Sequence, residues 1–149
     1  MRALLQRVTA GAVTIEGEQK GKIGPGLVVL VGVGKGDTIA EAIWLAQKTA
    51  KLRIFPDESG KLNLSLADTK GEALVVSQFT LYADCSRGLR PGFDQAAPPE
   101  LANHLYEEYV NALRREGISV QTGTFQAYMA VDIANDGPVT ILLERNPKE

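Results

Sequence analysis

Residues 27–31 constrain the fold most, because five consecutive apolar side chains, Leu-Val-Val-Leu-Val, leave neither face of a strand suited to solvent. Strands of this kind are typical of a sheet that other elements cover on both faces. Residues 73–76, Ala-Leu-Val-Val, repeat the pattern further along the chain. The sequence therefore predicts at least two fully buried strands.

Two segments have the spacing of amphipathic helices. The first begins at Thr38 and Glu41, which have capping-box spacing, and its apolar residues recur on one stripe as far as Ala50. The second begins with Pro at 98 and 99 and ends before Gly117, a residue type that commonly follows a helix. We therefore expect two main helices packed on the sheet.

Most of the remaining sequence alternates as strands do. The strands expected from this alternation cover residues 4–15, 62–66, 127–133 and 139–143. We expect a bulge near Gly11 in the first strand, and residues 135–138, Asn-Asp-Gly-Pro, predict a turn between the last two. The fold class is α/β: a single compact domain over residues 1–149, with a mixed, mostly β body of barrel-like sheets and two main helices packed on it.

Composition narrows the class of protein. Sixteen basic and eighteen acidic side chains give a net charge of −2, which argues against a protein that coats DNA. This balance still permits an enzyme that holds only the end of an RNA. Cys85 is the single cysteine, and the longest apolar stretch, residues 27–33, is too short to cross a bilayer. We therefore expect a cytoplasmic protein that spans no membrane.

The usual catalytic residue sets are missing. His104 is the single histidine and lies within the second predicted helix, and one histidine with one cysteine cannot supply three zinc ligands. The glycines of residues 32–36 match neither a phosphate-binding loop nor a dinucleotide-binding motif. We expect no metal and no cofactor. An esterase that pairs His104 with the hydroxyl of Ser77 or Thr80 is an open alternative.

Two polar segments follow apolar ones. Ser77, Gln78 and Thr80 end a strand that is otherwise apolar, and the simple interpretation is a strand end that meets solvent. The functional interpretation is that backbone N–H groups and hydroxyls gathered there stabilise a developing oxyanion. Residues 135–140, Asn-Asp-Gly-Pro-Val-Thr, read physically as an ordinary turn, because only about 5% of X–Pro bonds in folded proteins are cis.

Together the two segments resemble the D-aminoacyl-tRNA deacylase family. Residues 77–81, Ser-Gln-Phe-Thr-Leu, are similar to the first signature of that family, and residues 135–140 are similar to the second. Further segments that resemble the family occur in the same order along the chain, at residues 1–3, 6–8, 23–27, 63–66 and 96–100. The likeness therefore extends over nearly the whole sequence.

The resemblance implies an enzyme that hydrolyses the ester bond of D-aminoacyl-tRNA in chiral proofreading, with glycyl-tRNA mischarged on tRNA(Ala) as a second substrate. Its site would comprise Ser77, Gln78, Phe79 and Thr80. The backbone N–H groups of Phe79 and Thr80 would bind the oxyanion, and Ser77 and Gln78 would order the pocket. The 2′-hydroxyl of the terminal adenosine, rather than a side chain, would help to activate water.

The resemblance also implies a homodimer. Gly137 and Pro138, joined by a cis bond, would reach into the active site of the partner subunit and exclude an L side chain by steric clash. Met129, Asn135 and Thr140 would support the pocket.

Two positions depart from the family pattern. Tyr128 stands where an acidic residue is common, and Gly92 stands where serine is common. Through Phe79 and the intact second signature, the resemblance implies the D-specific type. One branch of the family has been linked to DNA replication origins, but that branch carries a C-terminal tail, and the charge balance here disfavours DNA as a partner.

Overall fold

The computed structural model describes residues 1–148. Within this range the strands are β1 (Arg2–Ile15), β2 (Glu18–Ile23), β3 (Gly26–Gly32), β4 (Phe55–Pro56), β5 (Leu62–Leu64), β6 (Glu72–Ser77), β7 (Ser119–Thr122) and β8 (Ala130–Glu144). The helices are α1 (Ile39–Lys51), α2 (Leu66–Thr69) and α3 (Pro99–Arg115), and a 3₁₀ turn covers Phe79–Tyr82. In this range no helix is both long enough and apolar enough to cross a membrane.

Strand β1 organises the main sheet because it pairs along both of its edges. One edge pairs antiparallel with β3 and then with β2, and the other pairs antiparallel with β8. Strand β6 lies parallel to β3, and β7 lies parallel to β6. The sheet curls until β2 approaches β7, since a Cβ added to Gly21 would lie 3.0 Å from the carbonyl oxygen of Thr122. The predicted barrel-like body is therefore confirmed.

The two faces of the sheet bury separate apolar clusters. Leu27 and Val29 of β3 belong to the larger cluster, which α1 and α3 cover. Val28, between them, belongs to a smaller cluster on the opposite face, together with Leu74 of β6. The prediction that residues 27–31 form a strand covered on both faces is confirmed.

The two main helices form where the sequence predicts them. Thr38 is the N-cap of α1, and its backbone N–H donates to the Glu41 carboxylate at 2.6 Å. Helix α3 is fixed by two buried tyrosines that reach across the core. The Tyr109 hydroxyl donates to the Thr49 hydroxyl of α1 at 2.8 Å, and the Tyr106 hydroxyl donates to the Val75 carbonyl of β6 at 2.7 Å. These bonds hold the middle of α3 against α1 and β6.

One local prediction is wrong, and another is confirmed. The strand expected to reach residue 66 ends at Leu64, because Ser65 caps the short helix α2 and accepts a hydrogen bond from the Asp68 N–H at 3.0 Å. The bulge expected near Gly11 is confirmed as irregular pairing on both sides of that residue. Gly11 itself pairs with Ile23 and Ile133, whereas the register of β1 shifts between Val8 and Ala10 against β8 and between Val13 and Thr14 against β2.

The predicted turn over residues 135–138 is also wrong, because strand β8 continues through it. Gln6 pairs with Thr140 and Val8 pairs with Asn135, so residues 136–139 stand opposite the single residue Arg7. We call residues 136–139 the Gly-Pro bulge. It protrudes from the sheet, because β1 holds the strand on either side of it and the extra residues have no partners in the ladder.

Candidate active site

A cavity of about 630 Å³ opens at the carboxyl end of β6. Five parts of the chain meet around it: the residue that follows β3, the end of β6, the loop before α3, the first turn of α3 and the segment that leads into β8. The lining residues are Val33, Val76, Ser77, Gln78, Phe79, Phe93, Ala96, Ala97, Pro99, Ala102, Phe125, Gln126, Ala127, Tyr128, Met129 and Val131. Within residues 1–148, no Asp, Glu, Lys, Arg or His side chain belongs to this lining. The cavity therefore offers neutral groups only.

The chain changes direction where β6 ends at the cavity. The Gln78 N–H donates to the Val31 carbonyl at 2.7 Å, which is the last bond between β6 and β3. The chain then enters the 3₁₀ turn, and the Leu81 N–H donates back to the Gln78 carbonyl at 3.3 Å. Phe79 and Thr80 are the first two residues of that turn, so the turn itself contains no carbonyl that could accept a hydrogen bond from their N–H groups. Of these two neighbouring donors, Phe79 belongs to the cavity lining, and Thr80 is the next residue along the chain.

The side chains of the first signature are ordered around this turn. The Gln78 amide donates to the Thr80 hydroxyl, and Ser77 is half-buried in the cavity wall. The Phe79 ring is 55% exposed and packs edge-on against Phe93, with 5.0 Å between ring centroids. Ser77, Gln78 and Phe79 line the cavity, whereas Thr80 is exposed, lies outside the lining and contacts Gln78.

The Gly-Pro bulge lies outside this cavity. Asp136, Gly137 and Pro138 are exposed, the Gly137–Pro138 bond is cis, and neither residue contributes to the cavity lining of its own chain. Asn135 and Thr140 brace the base of the bulge. The Asn135 side chain accepts from the Val139 N–H at 2.8 Å and donates to the Thr140 hydroxyl at 3.1 Å.

The predicted site residues thus fall into two groups in a single chain. Met129 lines the cavity with the first signature, whereas Asn135 and Thr140 support the Gly-Pro bulge.

Comparison with known proteins identifies the family. The sequence model described as D-Tyr-tRNA(Tyr) deacylase matches residues 4–144. The chain belongs to this family. The family predicted from the two signatures is therefore confirmed, and with it the prediction of a hydrolase.

Proteins similar to this deacylase-family chain match it over nearly their whole length. A D-aminoacyl-tRNA deacylase of Heliobacterium modesticaldum is 60% identical over 144 residues, which are 97% of this chain and 96% of that protein. A D-aminoacyl-tRNA deacylase of Roseiflexus castenholzii is 59% identical, over 97% of this chain and 92% of that protein.

Solved structures of two proteins share the fold. One, described as a c-Myc DNA Unwinding Element Binding Protein, has a TM-score of 0.92 and 44% identity over 99% of this chain and 100% of that one. The other, described as a probable eukaryotic D-amino acid tRNA deacylase, has a TM-score of 0.82 and 17% identity over 95% of this chain and 97% of that one. The second likeness concerns the fold alone.

The residues of the alternative esterase do not meet in the deacylase-family fold. His104 is exposed on α3 and is not part of the lining that contains Ser77. Within residues 1–148, no hydrogen bond joins His104 to Ser77 or Thr80, and no group of three His, Cys, Asp or Glu side chains is placed to hold a metal ion.

Sequence reasoning missed Arg7, which holds the Gly-Pro bulge. Its guanidinium is nearly buried and donates to the carbonyl of Asp136 at 3.0 Å and to the carbonyl of Ile54 at 2.8 Å. The Asp136 carboxylate also lies 3.7 Å from the Arg7 Nε. The signal in the sequence was a charged residue in the middle of a mostly apolar strand, but its partner is 129 residues away.

Proposed function

We propose that this protein hydrolyses the ester bond of D-aminoacyl-tRNA, releasing a free D-amino acid and tRNA, and so removes wrong-handed amino acids before translation. The observation that carries the proposal is the uncharged cavity beside the first two N–H groups of the 3₁₀ turn. Its volume, about 630 Å³, suits a nucleoside that carries one aminoacyl group. This activity belongs in the cytoplasm, where charged tRNA is used. The net charge of −2 favours, as the partner, an RNA that is bound only by its 3′ end rather than a DNA duplex.

The reaction is the attack of water on the ester carbonyl. The carbonyl oxygen becomes an oxyanion, and the N–H groups of Phe79 and Thr80 are placed to donate to it. The tetrahedral intermediate collapses with loss of the ribose 3′-oxygen, which takes up a proton. Gln78 orders the turn through its bond to Thr80, and Ser77 shapes the wall.

The proton of the attacking water needs an acceptor, and within residues 1–148 the cavity lining supplies no carboxylate, amine or imidazole. We assign the assisting role to the 2′-hydroxyl of the terminal adenosine, the hydroxyl adjacent to the ester. This assignment predicts that a tRNA ending in 2′-deoxyadenosine and charged on its 3′-hydroxyl reacts far more slowly. Its binding must be measured separately, so that lost affinity is distinguished from lost chemistry.

Chiral selection requires a second copy of the chain. The Gly-Pro bulge is held firmly by Arg7 and Asn135, yet in its own chain it stands apart from the cavity. In a homodimer, Gly137 and Pro138 of one subunit close the cavity of the other. Their backbone leaves room for hydrogen on one side of the α-carbon and excludes an L side chain. Glycine passes this test, so glycyl-tRNA mischarged on tRNA(Ala) is a second substrate.

Mixed dimers test whether the site is shared between subunits. Ala102→Leu fills the cavity of its own chain, because Ala102 is a small, buried lining residue, and Gly137→Ala alters the bulge. Unfolding and refolding the two variants together gives about half mixed dimers, each with one unaltered cavity facing one unaltered bulge. We expect recovery of about a quarter of the unaltered activity from two nearly inactive parents.

In the control, a variant that carries both substitutions is mixed with each single variant. No dimer in these mixtures has an unaltered cavity facing an unaltered bulge. A mixture no more active than its parents would exclude the shared site. So would a protein that is monomeric in analytical ultracentrifugation and nevertheless fully active.

A further inference from the structure

Tyr128 is an exposed aromatic residue at the rim of the cavity. Its side chain is 97% exposed although the residue is part of the lining, whereas its neighbours Ala127 and Met129 are half-buried. Within residues 1–148, no side-chain hydrogen bond, aromatic pair or cation–π contact involves Tyr128. The ring therefore contributes nothing to the packing of its own chain.

The inner wall of the cavity already contains aromatic rings. Phe79 packs edge-on against Phe93 on one side, and Phe125 packs against Tyr106 on another, with 6.4 Å between the centroids. Each of these rings packs against another ring of the same chain, and Tyr106 belongs to α3. Tyr128 is free of such contacts and lies at the opening, so it meets whatever part of a ligand leaves the cavity.

The size of the cavity determines what that part is. About 630 Å³ suits the terminal nucleoside and its aminoacyl group, so the preceding nucleotide must lie outside, at the rim. That nucleotide is single-stranded, and its base has a free face. Aromatic side chains bind such bases by stacking, at about 1–3 kcal/mol per base, and they do so with little regard to base identity.

We propose that the Tyr128 ring stacks on the base of the nucleotide that precedes the terminal adenosine of the substrate. This inference rests on the proposed function, because it requires a charged RNA 3′ end in the cavity. The ring acts in binding and takes no part in the chemistry. It therefore affects KM for substrates that extend beyond the terminal nucleoside and leaves kcat unchanged.

The test compares three substrates that differ in length: D-tyrosyl-adenosine, a D-tyrosyl trinucleotide ending in CCA, and D-tyrosyl-tRNA. Tyr128→Ala should raise KM for the two longer substrates by roughly 5- to 150-fold, the equivalent of losing one stacked base. It should leave both constants for D-tyrosyl-adenosine unchanged. Tyr128→Phe should behave as the unaltered protein, because the ring and not the hydroxyl does the stacking.

A matched control is Leu62→Ala, which trims another exposed apolar side chain, 54% exposed on β5 and outside the cavity lining. It should change none of the constants. Equal KM values for Tyr128→Ala and the unaltered protein on the trinucleotide would overturn the inference. So would a Tyr128→Ala protein that loses its oligomeric state in analytical ultracentrifugation, since the ring would then pack against a second subunit.

The two proposals fail in different ways. If the unaltered protein does not hydrolyse D-tyrosyl-adenosine or D-tyrosyl-tRNA, the proposed function is wrong. If it hydrolyses both, and Tyr128→Ala has the same KM as the unaltered protein for substrates of every length, only the stacking role of Tyr128 is wrong.

Discussion

Gly137→Ala tests how closely the Gly-Pro bulge is fitted to its surroundings. Gly137 has a φ of +135°, a conformation that side chains with a Cβ rarely adopt. The added carbon would lie 2.9 Å from Val139 Cγ2, 3.1 Å from the Val139 nitrogen and 3.1 Å from Arg7 Nη2. Arg7 is the residue that holds the bulge, so relief of this contact displaces the guanidinium from the carbonyls of Asp136 and Ile54.

The expected loss of stability follows from the backbone strain at Gly137. A residue forced into a sparsely populated backbone conformation costs about 1–3 kcal/mol. We therefore expect the free energy of unfolding to fall by about 1–3 kcal/mol, measured by urea denaturation. Activity should fall further, because a displacement of about 1 Å in a positioning element can cost on the order of 10²-fold in rate. The assay is kcat/KM for D-tyrosyl-tRNA.

Gly17→Ala is the matched control. Gly17 also has a positive φ, +77°, but nothing lies within 4 Å of an added Cβ, and it sits in the turn between β1 and β2. This variant should lose about 1 kcal/mol of stability from the backbone alone and keep its activity. If Gly137→Ala matched Gly17→Ala in both measurements, the argument that Arg7 and Val139 confine the bulge would be refuted.

Three further outcomes are expected. Arg7→Met keeps the apolar stem but removes the donors to two carbonyls, so the free energy of unfolding should fall by about 1–3 kcal/mol and activity should fall with it. An unchanged urea midpoint and an unchanged rate would contradict the role of Arg7 in holding the bulge. Burial raises the pKa of Tyr106 to about 12, so its stabilising contribution is complete below about pH 10 and is lost as the pH rises towards 12. In Tyr106→Phe, the free energy of unfolding should therefore fall less steeply with pH over this range, by the equivalent of one bound proton, and an unchanged slope would show that Tyr106 does not titrate there. Thr80→Ala should slow hydrolysis by less than the roughly 10²–10³-fold typical of losing an oxyanion donor, because the backbone N–H groups remain, whereas an inactive variant and a trappable acyl-enzyme on Thr80 would make this residue the nucleophile.

The parts of the fold that the sequence predicts well are those decided by local chemistry. Residues 27–31 are apolar on both faces and are buried on both faces, and Thr38 caps α1 through the spacing that the sequence displays. Ser65 was missed as a cap because the alternation of Leu62, Leu64 and Leu66 continues into the helix that it starts. A periodic pattern and a capping signal overlapped there, and the cap determined the structure.

The Gly-Pro bulge was misread for a different reason. Residues 135–138 have the composition of a turn, but a turn would have ended the pairing with β1, and β1 is long enough to pair with the strand on both sides of them. Arg7 then supplies the bonds that hold the extra residues. Both facts depend on a partner strand more than 120 residues away, which no local pattern contains.

The candidate active site also has one part that the sequence predicts and one part that it does not. The first signature could be placed at a strand end from its own sequence, and the structure brings Ser77, Gln78 and Phe79 to the cavity. That no charged side chain of residues 1–148 lines the cavity could not be foreseen, because it depends on which loops meet there.

The central claim is that this protein distinguishes the two hands of an aminoacyl ester, and one measurement tests it directly. The purified protein is incubated with D-tyrosyl-tRNA and, separately, with L-tyrosyl-tRNA, and the initial rates of amino acid release are compared across substrate concentrations. We predict rapid release of D-tyrosine and no release of L-tyrosine above the spontaneous rate. Equal values of kcat/KM for the two esters would contradict the claim.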